Sequence, residues 1–298
     1  MKLEQAFYPS LLVSESFYPL LGREQELYQA VERMISDGYY QRIECGSLKT
    51  PEIRKKFIRL MESGGVGFTQ WITNDINEKK LNPSTLDGQI REKTIREISA
   101  LVDTAAESGA DRVAMVSGPD PGEAGREEAL KGIEEVLFAV TDRMKQYPGM
   151  ILLLEPLDRG AHKNNLIGPT EDSVRLMERV NRDETRCLLS WDSAHMALNR
   201  EDLEESIEKS SKYIGHIHLA NAILDPTEEG YGDWHMAMGK PGFLDEDCGA
   251  RILRKAAEVL DGVKMGVSIE SRCQPGDDPF ANEKKCREFL MNVLQRES

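Results

Sequence analysis

The chain has 298 residues, of which 40% are hydrophobic and 30% are charged. A chain of this length can bury a large core without disulfides or structural metal ions, and its composition excludes a disordered, collagen-like or membrane-embedded protein. The 38 basic and 52 acidic residues give a net charge of −14, which would repel a nucleic-acid backbone or an anionic lipid surface. We therefore expect neither a nucleic-acid nor a membrane partner.

The cysteines and the N-terminal residues bear on the cellular compartment. The five cysteines are widely spaced and form no CxxC pair, which predicts reduced, mostly buried thiols and no zinc or redox motif. The first residues, MKLEQAFYPS, lack the apolar stretch of a secretory signal. The longest aliphatic run, 150–154, is too short to cross a bilayer. These features predict a cytoplasmic protein.

Short apolar runs alternate along the chain with longer segments of helical period, which predicts a parallel sheet with crossover helices. We predict strands at 5–13, 39–45, 66–72, 111–118, 150–155, 187–192, 215–220 and 265–270. We predict helices at 23–36, 51–63, 85–108, 123–146, 170–181, 201–212, 245–260 and 279–295.

The number of these elements predicts the fold. Eight strands, eight helices and no linker indicate an α/β protein with a single (β/α)8 TIM barrel over residues 1–298. An open doubly wound sheet would need a glycine-rich phosphate turn after its first strand, and the sequence has none there. The loop at 222–242 is long for a compact domain, so we expect it to be functional or disordered.

Polar residues stand at or near the ends of four consecutive predicted strands: Glu155, Asp192, His218 and Glu270. Neighbouring strands lie about 4.8 Å apart, so these side chains can converge at the carboxyl-end mouth of a barrel. Three buried acids without a cation would repel one another. Carboxylates with one imidazole and no thiolate favour Mn²⁺, with Mg²⁺, Co²⁺ and Zn²⁺ as alternatives. The sequence therefore predicts a divalent metal site with these four ligands.

Further polar and aromatic residues fall near this mouth. His195 could contact a substrate, bind a second metal ion, or cap a helix. Arg159 could bind a substrate oxygen or pair with a surface acid. Trp71 could form the wall for a sugar ring or belong to the core. His216 shares a strand face with His218 but lies deeper, so we expect it to be structural.

The DxxH that joins Asp192 to His195 and the HxH that joins His216 to His218 stand in order between Glu155 and Glu270. This series resembles the xylose isomerase-like barrel superfamily, which includes sugar isomerases, ketose 3-epimerases and endonuclease IV. EPLDR at 155–159 is similar to a Glu-x-Leu-Asn-Arg segment of the ketose 3-epimerases. Those enzymes carry a substrate-binding Glu where this chain has Ala161 and an Arg where it has Leu224, so the resemblance implies that this substrate is handled differently.

The loop after the seventh predicted strand holds Asp233 and His235, which resemble the Asp-x-His of endonuclease IV. With His195 they could form part of a second metal site. The remaining zinc ligands of the nuclease are histidines from the first half of its barrel, whereas all five histidines here follow residue 161. Asp233 and His235 therefore become candidates for substrate contact. Lys240, Arg159 and Arg272 could hold an anionic group or be surface charges.

The leading hypothesis is a metal-dependent isomerase or epimerase of a sugar or sugar derivative that acts through a metal-bound enediolate. Glu155 and Glu270 would flank the substrate, one removing a proton and the other returning one. A metal-dependent lyase, a decarboxylase or dehydratase of an oxidised sugar, is the alternative at the same site. A non-catalytic sugar-binding barrel is a third class, and the net charge argues against a nuclease. The expected partner is a small carbohydrate, and a homo-oligomer is compatible with the sequence.

Overall fold

Eight parallel strands close into a barrel in chain order in the computed structural model, which describes residues 2–260 and 262–296. The strands are β1 (Phe7–Leu12), β2 (Arg42–Gly46), β3 (Gly67–Trp71), β4 (Arg112–Val116), β5 (Ile151–Glu155), β6 (Cys187–Asp192), β7 (Ile214–Ala220) and β8 (Met265–Glu270). β8 pairs with β1 and closes the ring. The predicted (β/α)8 fold is confirmed.

The helices surround the barrel. They are α1 (Leu3–Ala6), α2 (Val13–Ser16), α3 (Glu24–Ser36), α4 (Pro51–Gly64), α5 (Thr73–Glu78), α6 (Gly88–Glu107), α7 (Glu123–Met144), α8 (Thr170–Val180), α9 (Ser193–Leu198), α10 (Leu203–Ser210), α11 (Glu246–Val259) and α12 (Pro279–Gln295). The sequence did not predict α1, α2, α5 and α9, because a helix of four to six residues is too short to show a period. No helix in the described part of the chain combines the length and apolarity that a bilayer crossing requires.

Aspartates fix where several helices begin. Asp87 accepts hydrogen bonds from the backbone N–H groups of Gln89 and Ile90, and Asp202 accepts equivalent bonds at the start of α10. These caps satisfy N–H groups that have no partner within the helix. They place the starts of α6 and α10 at residues 88 and 203, two to three residues later than predicted.

The core lies between the barrel and its helices. α4 buries Phe57 against Phe68 of β3, with the two ring centroids 6.0 Å apart. All five cysteines are free thiols, and all except Cys248 are buried, as predicted.

The amino-terminal end of the barrel is filled by arginines. The buried Arg42 forms a two-point ion pair with Asp111, at 2.6 and 2.8 Å. Arg112 on β4 donates to the backbone oxygen of Gly215 on β7 at 2.9 Å, which joins two strands that are not neighbours. The predicted site lies at the other mouth of the barrel, at the carboxyl ends of the strands.

A register shift between β6 and β7 aligns two predicted ligands. Leu189 pairs with Ile214, but Ser190 pairs with His216, so Gly215 is skipped. The shift places Asp192 directly opposite His218. Without it Asp192 would face Ile217, whose side chain points to the other face of the sheet.

Candidate active site

The four predicted metal ligands meet at the carboxyl-end mouth. One ligand atom from each of Glu155, Asp192, His218 and Glu270 lies within 4.8 Å of those from the other three, and all four residues are buried. His218 Nδ1 is 3.1 Å from Glu155 Oε1 and 2.8 Å from Glu270 Oε2. These four residues, hereafter the quartet, come from β5 to β8 in order.

The charges of the quartet fit a divalent cation. Asp192 Oδ2 is buried and has no hydrogen-bond partner among the described residues. Burial raises the pKa of Asp192 to about 7, with a further contribution from the Glu270 and Glu155 carboxylates, against the opposing effect of His195. Burial also raises the pKa of Glu155. A cation would offset both burial and repulsion, and three oxygens with one nitrogen suit a hard or borderline metal ion.

His218 is oriented from below by Glu44 of β2. His218 Nε2 lies 3.1 Å from Glu44 Oε2, and Glu44 is fully buried. An N–H at Nε2 that donates to Glu44 leaves the Nδ1 lone pair directed at the quartet carboxylates. A carboxylate in this position fixes the tautomer and orientation of a ligating histidine.

His216 lies deeper in the barrel than His218. Its Nε2 is 2.8 Å from Glu44 Oε1 and 2.9 Å from Ser268 Oγ, and it has no exposed surface. Burial lowers the pKa of His216 to about 4 although Glu44 opposes this effect. These contacts support the predicted structural role.

His195 is buried at the edge of the mouth, between Asp158 and Asp233. Its Nδ1 is 3.3 Å from Asp158 Oδ2, and its Nε2 is 3.8 Å from Asp233 Oδ2. Although burial lowers the pKa of His195, Asp192, Asp158 and Asp233 together raise it to about 9.

The loop after β7 brings Asp233 and His235 to the site. His235 Nε2 is 3.1 Å from Asp233 Oδ2, and its Nδ1 lies 2.8 Å from Glu15 Oε2 and 3.4 Å from Glu270 Oε1. Burial raises the pKa of Glu270, but His235 and His218 outweigh it and lower the pKa to about 2. These contacts place this part of the loop beside the quartet. Lys163 Nζ is 3.0 Å from Asp233 Oδ2.

A cavity of about 760 Å³ opens above the quartet, a volume typical of small-ligand sites. Of the predicted site residues, it is lined by Trp71, Glu155, His195, His218, His235 and Glu270. Asp192 and Asp233 are buried behind this wall. Trp71 is half-buried, and its Nε1 donates to Glu44 Oε2 at 3.1 Å.

Two predicted substrate contacts lie away from the cavity. Arg159 donates to the backbone oxygen of Leu166 and, at 2.6 Å, to Asp172. Lys240 is exposed on the loop after β7. Neither belongs to the described residues that line the cavity, so the geometry does not support a substrate contact for them.

Sequence reasoning missed four residues of the site. Glu44 lies inside a strand, Glu15 on the four-residue α2, and Asp158 and Lys163 in the loop after β5. An acid between apolar neighbours in a strand, as in RIEC at 42–45, is the one signal that could have indicated Glu44. The positions of Glu15, Asp158 and Lys163 depend on how α2 and the loop after β5 fold, which no sequence pattern indicates.

The fold and the mouth together define the class of protein: a (β/α)8 barrel with an acid and imidazole site at the carboxyl ends of its strands. Residues 28–290 match the family described as the xylose isomerase-like TIM barrel. The chain belongs to this family, and the predicted resemblance is confirmed. No curated protein sequence is significantly similar to the chain.

Several solved structures share the fold. A D-tagatose 3-epimerase-like protein is 19% identical, with a TM-score of 0.66 over 88% of this chain and 92% of that chain. The IolI protein with a bound zinc atom is 18% identical, with a TM-score of 0.68 over 89% and 92%. The 3-keto-D-glucoside 4-epimerase YcjR from E. coli is 15% identical, with a TM-score of 0.64 over 87% and 92%.

Proposed function

We propose that this protein is a divalent-metal-dependent isomerase or epimerase of a sugar or sugar derivative. The observation that carries the proposal is the quartet, three carboxylates and an imidazole whose ligand atoms lie within 4.8 Å of one another beneath a ligand-sized cavity. The 3-keto-D-glucoside 4-epimerase, the D-tagatose 3-epimerase-like protein and the zinc-containing IolI among the solved structures support this choice.

Glu155, Asp192, His218 and Glu270 would hold the cation, and the oxygen-rich ligand set favours Mn²⁺. When bound, a divalent cation polarises a carbonyl group as a Lewis acid. Glu44 holds the His218 ring in the orientation that presents Nδ1. The free and largely buried cysteines support a reducing compartment such as the cytoplasm.

The proton transfer would fall to the two glutamates that line the cavity. Glu155 and Glu270 come from β5 and β8, which are not neighbours in the barrel, and both face the cavity. One carboxylate would accept the proton from the carbon beside the substrate carbonyl, and the other would return a proton to the substrate. Trp71 and the walls of the cavity would orient the sugar and exclude water.

Solvent isotope exchange tests the proposal. The protein is incubated with Mn²⁺ and a panel of ketoses in D₂O, and we expect deuterium at the carbon beside the carbonyl of the substrate. Glu155→Gln and Glu270→Gln should abolish the exchange, whereas Glu62→Gln, which changes an exposed glutamate on α4, should not. Absence of deuterium from every ketose contradicts the proposal. Release of carbon dioxide or water from a sugar acid would indicate the lyase alternative instead.

A further inference from the structure

Lys163 is a cation on the cavity wall that the mechanism above does not use. It follows β5, and its backbone N–H donates to Asp158 Oδ1 at 2.9 Å. The N–H of His162 donates to the same oxygen. Because Asp158 is fully buried, these bonds fold the loop inward and turn Lys163 toward the cavity that Glu155, His218 and Glu270 also line.

The ammonium of Lys163 has two partners, which leaves at least one of its N–H donors for a ligand. Its Nζ is 3.0 Å from Asp233 Oδ2 and 3.5 Å from His235 Nε2. The side chain of Asp233 is 2% exposed and that of Lys163 is 27% exposed. A lysine ammonium carries three N–H donors. Two partners leave at least one N–H that can reach a ligand in the cavity.

The cations of the cavity wall are already neutralised. Asp233 pairs with Lys163, and Glu15 binds Arg272 through two contacts of 2.6 and 3.1 Å. Among the described residues that line the cavity, no lysine or arginine lacks a carboxylate partner. The +2 charge of a divalent cation in the quartet would already be offset by the three carboxylates that hold it. A ligand carboxylate would therefore enter without a free counter-charge, and burying an unpaired charge is costly. A hydroxyl oxygen accepts the spare N–H without adding charge.

We infer that Lys163, held in place by Asp233, is a substrate-binding residue that donates to a hydroxyl oxygen of an uncharged sugar and selects it against the corresponding sugar acid. This inference rests on the proposed function, because it assigns the substrate class of the same site. It also distinguishes the epimerase proposal from chemistry on an oxidised sugar.

Binding calorimetry with the Mn²⁺-loaded protein tests the inference. The probes are D-tagatose and D-fructose, each paired with the acid of the same skeleton, D-tagaturonate and D-fructuronate. The wild-type protein should bind a neutral sugar more tightly than its acid. Lys163→Met should weaken binding of the neutral sugar about tenfold or more, with Mn²⁺ affinity unchanged. Lys55→Met, a change at an exposed lysine on α4 away from the cavity, should bind as the wild type does.

Two further variants make the test independent of a folding defect. Lys163→Arg keeps a cationic donor and should retain the preference for the neutral sugar. Asp233→Asn removes the counter-charge of Lys163 and should shift the ratio of affinities toward the acid. Wild-type affinity for the neutral sugar in Lys163→Met, or tighter binding of the acids by the wild-type protein, overturns this inference alone. Failure of the wild-type protein to bind any of the four probes overturns the sugar site as well.

Discussion

Glu44 lies beneath the quartet and faces five hydrogen-bond donors. They belong to Ser10, Trp71, His216, His218 and Ser268. Burial raises the pKa of Glu44, but His216 and His218 outweigh burial and hold the pKa well below its usual range. This carboxylate therefore stays ionised and anchors the ring of His218.

Glu44→Gln tests this anchoring. An amide cannot accept at both positions where Glu44 accepts now, so the His218 ring should lose its fixed orientation. We expect the affinity for Mn²⁺ to fall about 10- to 100-fold, measured by calorimetry on protein whose folding is checked by its melting curve. Glu62→Gln on the surface serves as the control. Equal Mn²⁺ affinities in the two variants would contradict the role given to Glu44.

The position of a residue in the chain decides how much of its role the sequence predicts. The quartet residues stand at or near predicted strand ends, and the mouth of a barrel gathers such positions whatever the loops do. Lys163 and Glu15 reach the site only because a loop and a four-residue helix fold inward. No period or motif marks such segments, since their conformation depends on tertiary contacts.

Among the elements, β7 has a glycine, Gly215, at the point where its register shifts. A Cβ added at Gly215 would lie 2.8 Å from Leu188 Cβ and 2.9 Å from Leu153 Cδ2. Gly215→Ala should therefore lower the free energy of unfolding by about 1–3 kcal/mol. It should also weaken Mn²⁺ binding, because the shift at Gly215 aligns Asp192 with His218.

Chemical denaturation and calorimetry measure these two effects. Gly46→Ala is the matched control, because Gly46 also lies in a strand but a Cβ there meets nothing within 4 Å. If the Gly215→Ala and Gly46→Ala variants were equally stable, the close contacts of a Cβ at position 215 would not destabilise the protein.

An ion pair fixes the segment between β4 and α7. Asp120 binds Arg126 through contacts of 3.2 and 2.6 Å. Burial raises the pKa of Asp120, but Arg126 and the N–H of Gly122 outweigh burial, so the pKa lies below its ordinary value of 3.8. The stabilisation that the Asp120–Arg126 ion pair gives is therefore present above about pH 4. It is lost as the pH falls through the lowered pKa of Asp120.

Arg126→Gln should reduce the free energy of unfolding by about 1 kcal/mol at pH 7. The difference from the wild type should shrink as the pH falls below about 4, which denaturation at a series of pH values measures. Lys131→Gln removes a fully surface pair with Glu128 and should change stability little at any pH. A difference for Arg126→Gln that stays constant down to pH 3 would contradict the assignment.

At the scale of the whole molecule, the amino-terminal end of the barrel contributes to stability and the carboxyl-terminal end holds the candidate site. The amino-terminal end holds Arg42, whose side chain is 7% exposed and paired with Asp111, whereas the quartet lies at the opposite end. Asp111→Ala would leave the Arg42 charge without its partner, but the Asp111 side chain is 52% exposed, so the cost should be about 1–2 kcal/mol of stability. Mn²⁺ affinity should stay at the wild-type value.

Thermal denaturation and calorimetry on the same preparations separate these outcomes. Asp142→Ala, which removes an exposed partner of Lys145, gives the reference for a surface change. A parallel loss of Mn²⁺ affinity in Asp111→Ala would mean that the two ends are coupled.

The quartet comes entirely from β5 to β8, whereas Glu15, Glu44 and Trp71 come from α2, β2 and β3. A gene divided near residue 147, between α7 and β5, would thus encode one fragment with all four proposed ion ligands and another with Glu44, the carboxylate that orients the His218 imidazole. Tight ion capture would then report reassembly of the two half-barrels.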